Sequence, residues 1–140
     1  MNLLYFLLNN IIFFGLLFPQ AEKNADRIYL KYRSESHFLE HREITIIIRN
    51  NGELDFIEMV NDEKTRKKIK IHTEDIKKLI EKVENNYFFD LNKNLSNNNC
   101  SDASMQQLFI KYKNKRLKVK GYCITNKNFN EIITLIYSFI

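Results

Sequence analysis

Hydrophobic and polar positions divide the chain into two unequal parts at Pro19. The first 18 residues, MNLLYFLLNNIIFFGLLF, contain no charged side chain, and every Lys, Arg, Asp and Glu lies after them. A helix over residues 3–18 would be about 24 Å long, shorter than the roughly 30 Å hydrocarbon core of a membrane. The pattern therefore predicts a secretory signal peptide over residues 1–21. Residues 22–140 would then form one exported domain, secreted or periplasmic.

Two features of this segment keep alternatives open. No Lys or Arg precedes its apolar stretch, and no Ala-x-Ala cleavage site follows it. The first cations, Lys23 and Arg27, lie after the apolar stretch, so an uncleaved anchor would leave the domain in the cytoplasm by the positive-inside rule. An uncleaved anchor and a buried element of a cytosolic fold are therefore the alternatives to export.

Alternating apolar and polar residues predict strands in the first half of the domain. RIYLKYR at 27–33 is typical of a strand, and residues 34–42 are expected to form a polar loop. ITIIIRN and ELDFIEMV flank Asn51-Gly52, which favours a hairpin with a type I′ turn because both central residues of that turn need positive φ. Residues 61–68 should be a charged connector, and Ile69 and Ile71 suggest a short further strand.

A helical period replaces the alternation after residue 72. Apolar residues recur at i, i+3, i+4 and i+7 and predict an amphipathic helix over 73–86, with Thr73 as its cap. These residues are Ile76, Leu79, Ile80 and Val83. YFFDL at 87–91 should seat the end of this helix on the sheet, and the Asn- and Ser-rich residues 92–104 should form a long loop.

A second hairpin and a second helix complete the predicted fold. MQQLFIKYK at 105–113 and KRLKVKGYC at 115–123 alternate around Asn114, and an apolar stripe follows Thr125. One side of the hairpin should carry Leu108, Ile110, Tyr112, Leu117 and Val119. The order β-β-β-β-α-β-β-α predicts an α+β fold, in which an antiparallel sheet of two hairpins plus additional strands has two helices packed on one face.

The two cysteines and the charge add to this picture. Cys100 and Cys123 are an even count in a predicted exported chain, which favours one disulfide closing a loop of 24 residues. Two unrelated buried thiols are the alternative. The net charge of +5 lies wholly on the predicted mature domain and permits an anionic partner.

One short segment has the spacing of a zinc-protease motif. His37-Phe38-Leu39-Glu40-His41 matches H-x-x-E-H, and on a helix His37 and His41 could share a zinc while Glu40 polarised its water. The segment is short, lies before a strand and lacks a helical apolar face. We therefore expect solvated histidines, no metal, no other cofactor and no enzymatic activity. A metal-dependent hydrolase using this segment is the alternative.

Basic residues cluster on the second hairpin. Lys118 and Lys120 share a face with Tyr122, and Lys111 and Lys113 share one with Phe109. Cations interleaved with aromatic rings can bind a polyanion. The four lysines are therefore a candidate polyanion site, and a solvated face of an amphipathic sheet is the simpler interpretation.

Residues 44–140 also carry a resemblance to a known group of proteins. The hairpin ITIIIRNNGELDF, the helix and plug IKKLIEKVENNYFFDL, and the hairpin SDASMQQLFIKYKNKRLKVKGYC precede a final helix. Together they resemble an uncharacterised family of small exported or lipoprotein-attached bacterial domains, common in Bacteroidetes. The resemblance implies a fold and export, and it brings no established activity.

The predicted function is that of a small, exported, non-enzymatic binding domain. Its partner should be a protein or another macromolecule in the periplasm or at the cell surface. A protein partner is expected in preference to nucleic acid or an anionic glycan, and the mature domain is not expected to span a membrane.

Overall fold

Within the residues that the structure describes, six antiparallel strands form a single sheet in the order β4-β3-β2-β1-β5-β6. The computed structural model describes residues 27–37, 40–100 and 104–140, so the predicted signal peptide lies outside the described residues. The strands are β1 (Ile28–Ser36), β2 (Arg42–Ile48), β3 (Glu53–Val60), β4 (Glu63–Lys70), β5 (Met105–Tyr112) and β6 (Lys115–Tyr122). The helices are α1 (Thr73–Asn85) and α2 (Lys127–Tyr137), with a 3₁₀ turn at Phe88–Asp90. The predicted α+β fold is confirmed.

The core lies between one face of the sheet and the two helices. Leu30 in the centre of β1 pairs with Ile48 on one side and Ile110 on the other, and all three are fully buried. The helices and the 3₁₀ turn contribute further fully buried residues: Leu79, Val83, Phe88, Phe129, Ile132 and Ile136. The predicted apolar side of the second hairpin is confirmed by its register, since Leu108 pairs with Val119 and Ile110 with Leu117.

Two strands are longer than their hydrophobic pattern predicts. Strand β1 continues to Ser36 and β2 begins at Arg42, so four of the nine residues in the predicted polar loop at 34–42 are paired strand. The predicted connector at 61–68 is largely β4, in which seven of eight residues are exposed. Charged residues are common on edge strands because they discourage pairing with other chains. An edge strand of this kind therefore lacks the apolar alternation that identifies an inner strand.

The predicted type I′ turn at Asn51-Gly52 is wrong. Only Gly52 has positive φ there, at 76°, and its amide donates to the Arg49 carbonyl at 2.9 Å while the Arg49 amide donates to Glu53. This is a three-residue loop that ends in a glycine bulge. Paired positive φ values, 47° and 71°, occur instead at Asn61 and Asp62 between β3 and β4.

Both helices begin and end close to their predicted residues. Helix α1 runs from Thr73 to Asn85, but its N-cap is His72, whose side chain makes no capping hydrogen bond. Thr73 is therefore the first helical residue and not the predicted cap. Helix α2 is capped by Asn126, whose Oδ1 accepts from the Phe129 amide at 2.9 Å. None of the helices in the described ranges is long and apolar enough to cross a bilayer.

The loop before β5 lies along the outer edge of β6. The Leu95 amide donates to the Lys120 carbonyl and the Asn97 amide to the Tyr122 carbonyl, both at 2.9 Å. Cys100 and Cys123 form a disulfide with their Cα atoms 6.1 Å apart, which confirms the predicted pairing. The disulfide thus joins the end of this edge segment, which we define as residues 93–100, to the residue after β6.

Candidate functional site

The sheet face away from α1 and α2, called here the open face, has no helix packed on it within the described residues. Side chains alternate between the two faces of a strand, so the neighbours of the core residues point to this side. Register places Phe109 of β5 between Lys31 of β1 and Lys118 of β6. Gln107, two residues before Phe109 in β5, lies between Arg33 and Lys120 in the same way.

Two open depressions meet at Phe109 and Lys118. One has a volume of about 390 Å³, and its other lining residues are Tyr29, Lys31, Arg33 and Gln107. The second has a volume of about 420 Å³ and is also lined by Lys93, Arg116, Leu117 and Lys120. Among the residues that the structure describes, every charged residue that lines either depression is a cation. The two depressions therefore form one continuous basic surface across β1, β5 and β6.

Most of these cations have no acidic partner in the part of the chain that the structure describes. We call five of them the cationic strip, because none forms a salt bridge within the described residues: Lys31, Lys93, Arg116, Lys118 and Lys120. Lysines on the helices differ, since Lys77 lies 3.2 Å from Glu74 and Lys82 lies 3.2 Å from Glu131. Uncompensated cations on one face raise its positive potential and attract anionic ligands.

An aromatic pair lies in the middle of the cationic strip. The rings of Tyr29 and Phe109 meet edge to face, with centroids 6.1 Å apart and planes at 63°. Both side chains are only partly buried, so part of each ring belongs to the surface. Such rings offer a flat apolar contact to a ligand that the surrounding cations hold by charge.

The four lysines predicted as a polyanion site do not all lie together. Lys111, Lys118 and Lys120 project from the open face, where Lys111 pairs with Arg116. Lys113 lies in the β5–β6 turn with φ 53°, and its Nζ is 3.2 Å from Glu84 of α1. Hydrogen bonding to Tyr112 and Glu84 raises the pKa of Lys113. Lys113 is thus held by acidic and aromatic neighbours away from the cationic strip.

The predicted polyanion site contained only lysines of the second hairpin, and the cations that other segments contribute to this surface were not predicted. Lys31 belongs to β1 and Lys93 to the edge segment, far in sequence from the second hairpin. The alternation of RIYLKYR was a usable signal that Lys31 faces away from the core. The pairing of β1 with β5 has no comparable local signal, because it joins strands separated by more than 60 residues.

The β2–β3–β4 half of the open face holds a carboxylate paired with two guanidinium groups. Asp55 accepts from Arg66 Nε at 3.1 Å and Nη2 at 2.9 Å, and also from Arg49. Its side chain is 2% exposed, although both arginines are partly solvated. These hydrogen bonds, first from Arg66 and then from Arg49, lower the pKa of Asp55 to about 2. The cluster ties the β2–β3 loop to β4.

Replacing Asp55 by Asn should lower the free energy of unfolding by about 1–2 kcal/mol at neutral pH. Folding lowers the pKa of Asp55 to about 2 from 3.8. The ionised carboxylate therefore stabilises the folded state fully at pH values above the unfolded pKa, and this contribution falls as the pH decreases toward 2. Partial solvation of both arginines keeps the value modest. Urea unfolding at several pH values measures it, with exposed Asp90→Asn as control. A difference between Asp55→Asn and the native protein that does not shrink below pH 4 contradicts the prediction.

The two histidines of the H-x-x-E-H segment lie close together without a helix. His37 directly follows β1 and His41 directly precedes β2, and their rings stack in parallel with centroids 4.8 Å apart. The carboxylate beside them belongs to Glu35, whose Oε1 is 3.0 Å from His37 Nε2 and 3.6 Å from His41 Nε2. Glu40 is exposed and is not part of this cluster.

No model of a protein family matches the chain, and no curated protein is significantly similar to it. The resemblance to small exported bacterial domains therefore stays a prediction.

Proposed function

We propose that this chain is an exported, non-enzymatic binding domain whose open face binds a linear anionic polysaccharide. The observation that carries the proposal is the cationic strip around Phe109, in which five cations have no acidic partner within the described residues. The uncharged N-terminal stretch and the Cys100–Cys123 disulfide support export, since disulfides persist mainly in oxidising compartments.

The arrangement of the cations favours a polymer that runs along the strands. Lys31 on β1 and Lys118 on β6 lie on either side of β5, about 10 Å apart because neighbouring strands are about 4.8 Å apart. Along β6, Arg116, Lys118 and Lys120 repeat every second residue, roughly every 6.7 Å. A chain with regularly spaced anionic groups could meet both rows and place the apolar face of a sugar ring on Phe109.

This ligand differs from the protein partner expected from the sequence. Folded proteins present acidic groups in irregular patterns on a convex surface, whereas the cations here follow the regular spacing of a sheet. Aromatic rings beside cations would also suit single-stranded nucleic acid. We favour a polysaccharide because the predicted exported location brings the domain to cell-surface glycans. Single-stranded DNA and an acidic protein are therefore the competing ligands with which binding of the polysaccharide is compared.

Substitution of three cations should weaken polysaccharide binding roughly 100-fold at 0.1 M salt. The variant is Lys31→Gln, Lys118→Gln and Lys120→Gln, and heparin is the probe, followed by calorimetry over a range of salt concentrations. Each basic residue near an anionic surface contributes about 1 kcal/mol, so three correspond to about two powers of ten in Kd. The salt dependence should also become shallower, because fewer counterions are released.

The matched control carries the same change of charge on the opposite side of the molecule. Lys77→Gln, Lys78→Gln and Lys127→Gln remove three helix lysines that lie near acidic partners, and binding should change less than threefold. Equal weakening by both triple variants would show that only net charge matters. Phe109→Ala should weaken binding without changing the salt dependence. Tighter binding of single-stranded DNA or of an acidic protein than of heparin at equal salt would contradict the proposed ligand class.

A further inference from the structure

A second site, separate from the cationic strip, lies where β1 passes into β2. We propose that Glu35, His37 and His41 bind a divalent transition-metal ion such as Zn²⁺. This inference does not depend on the proposed polysaccharide function. It also differs from the H-x-x-E-H interpretation, because the carboxylate is Glu35 of β1 and Glu40 takes no part.

The distances among the three side chains fit one metal ion. Zn²⁺ binds His nitrogen at about 2.0–2.1 Å and carboxylate oxygen at about 2.0–2.2 Å in tetrahedral geometry, so neighbouring ligand atoms lie about 3.4 Å apart. Glu35 Oε1 lies 3.0 Å from His37 Nε2 and 3.6 Å from His41 Nε2. These two distances lie on either side of the tetrahedral value. All three ligand atoms lie within 4.8 Å of one another, and the exposed His37 ring can rotate to close the remaining distance.

One atom of this cluster has no hydrogen-bond partner. His41 Nε2 is shielded from solvent and makes no hydrogen bond within the described residues, because its 3.6 Å separation from Glu35 is too long. An unsatisfied shielded nitrogen is costly. A metal ion between Glu35, His37 and His41 would give this nitrogen a partner and would neutralise the carboxylate at the same time.

Neighbouring residues hold the carboxylate in position. The second oxygen of Glu35, Oε2, lies 3.1 Å from Arg33 Nη2, which also donates to Glu43 Oε2 at 2.8 Å. Glu43 in turn accepts from the Thr45 hydroxyl at 3.2 Å. Contacts of this kind orient metal ligands and strengthen binding. Arg33 thus fixes Oε2 and leaves Oε1 directed at the two imidazoles, while Glu43 balances the charge of Arg33.

The ligand set indicates the class of metal. Two imidazoles and one carboxylate suit Zn²⁺ and neighbouring transition ions, whereas Mg²⁺ and Ca²⁺ prefer oxygen ligands alone. Three protein ligands leave a fourth tetrahedral position for water.

The test is calorimetric titration of the untagged full chain with Zn²⁺ at pH 7.5, since an affinity tag of histidines would bind the metal itself. We expect saturable one-to-one binding, and Glu35→Gln, His37→Ala and His41→Ala should each weaken it at least tenfold. A tenfold loss of affinity is the lower end of the range measured when a residue that supports a metal site is removed. The chain provides two matched controls. His72→Ala removes the third histidine, and Glu40→Gln removes the other carboxylate of the segment, and both should bind as the native protein does.

Side-chain nitrogen NMR gives a readout that does not depend on affinity. The imidazole signals of His37 and His41 should shift on addition of Zn²⁺ while those of His72 stay in place. Circular dichroism confirms that each variant remains folded without metal. Absence of saturable binding, unchanged binding in Glu35→Gln and His41→Ala, or loss of binding in Glu40→Gln alone would each overturn the proposal.

Discussion

Loss of the Cys100–Cys123 disulfide is expected to lower the free energy of unfolding by about 3 kcal/mol. The bond closes a loop of 24 residues that contains the whole β5–β6 hairpin. In the chain-entropy model, a cross-link of this span stabilises by roughly that amount, because it restricts the unfolded chain. The paired substitution Cys100→Ser and Cys123→Ser, followed by urea unfolding, measures the loss.

Reduction of the native protein provides the control for the serine side chains. The reduced native protein and the double serine variant should unfold at the same urea concentration, and the oxidised protein should unfold later. The slope of the transition should be steeper without the bond, since the unfolded state becomes less compact. A loss below about 1 kcal/mol, or equal stability of oxidised and reduced protein, contradicts the prediction.

Replacing Gly121 by Ala should cost about 2–3 kcal/mol, even though Gly121 is in a strand and its backbone permits other residues. A Cβ at this position would lie 2.7 Å from the Ser96 amide nitrogen and 2.9 Å from the Leu95 carbonyl carbon. Both atoms belong to the edge segment, which hydrogen bonds hold against β6. Because backbone cannot move aside as a side chain can, either the segment separates or β6 shifts, and such overpacking typically costs 1–3 kcal/mol.

A double-mutant cycle distinguishes this clash from a general effect on β6. Without the disulfide the edge segment can move away from β6 more easily, so Gly121→Ala should cost less in the Cys100→Ser and Cys123→Ser background. Residues that share one structural element commonly show such coupling, of 0.5–3 kcal/mol. Alanine usually stabilises a strand relative to glycine. A neutral or stabilising Gly121→Ala in the native background would therefore show that the close approach is not maintained in solution.

Local patterns in the sequence predicted the elements whose residues alternate or repeat with a clear period. The apolar stripe of α1 identified the helix to within one residue, and the alternation of β5 and β6 identified the core side of the second hairpin. These signals are strong because one face of an amphipathic helix or strand packs on the core and the other contacts solvent, so apolar and polar residues alternate with the period of the element. The even count of two cysteines likewise predicted the bond between Cys100 and Cys123.

Local patterns failed where the structure depends on neighbours in space. Strand β4 has seven exposed residues, so only pairing with β3 makes it a strand. The Asn51-Gly52 pair correctly indicated a hairpin. The turn type was set by the length of the loop, which has three residues, and not by the dipeptide. Asp55 in ELDFIEMV was a visible signal, since a carboxylate among apolar strand residues needs a partner, yet Arg66 could be identified only from the register of β4.

By itself the sequence determined the order of the elements, the residues of the core and the two cysteines that pair. The element order and the core residues depend on the period of apolar positions, and the residue type at each position indicates whether it faces the core or solvent. The pairing of the cysteines follows from there being only two of them. The tertiary structure alone decided that Lys31, Lys93 and Lys118 share one surface. It also decided that Glu35, not Glu40, faces His37 and His41. The lysine surface joins strands that are distant in sequence, and the packing of the whole sheet sets that pairing. Glu35, His37 and His41 are close in sequence, and the pairing of the consecutive strands β1 and β2 brings them together.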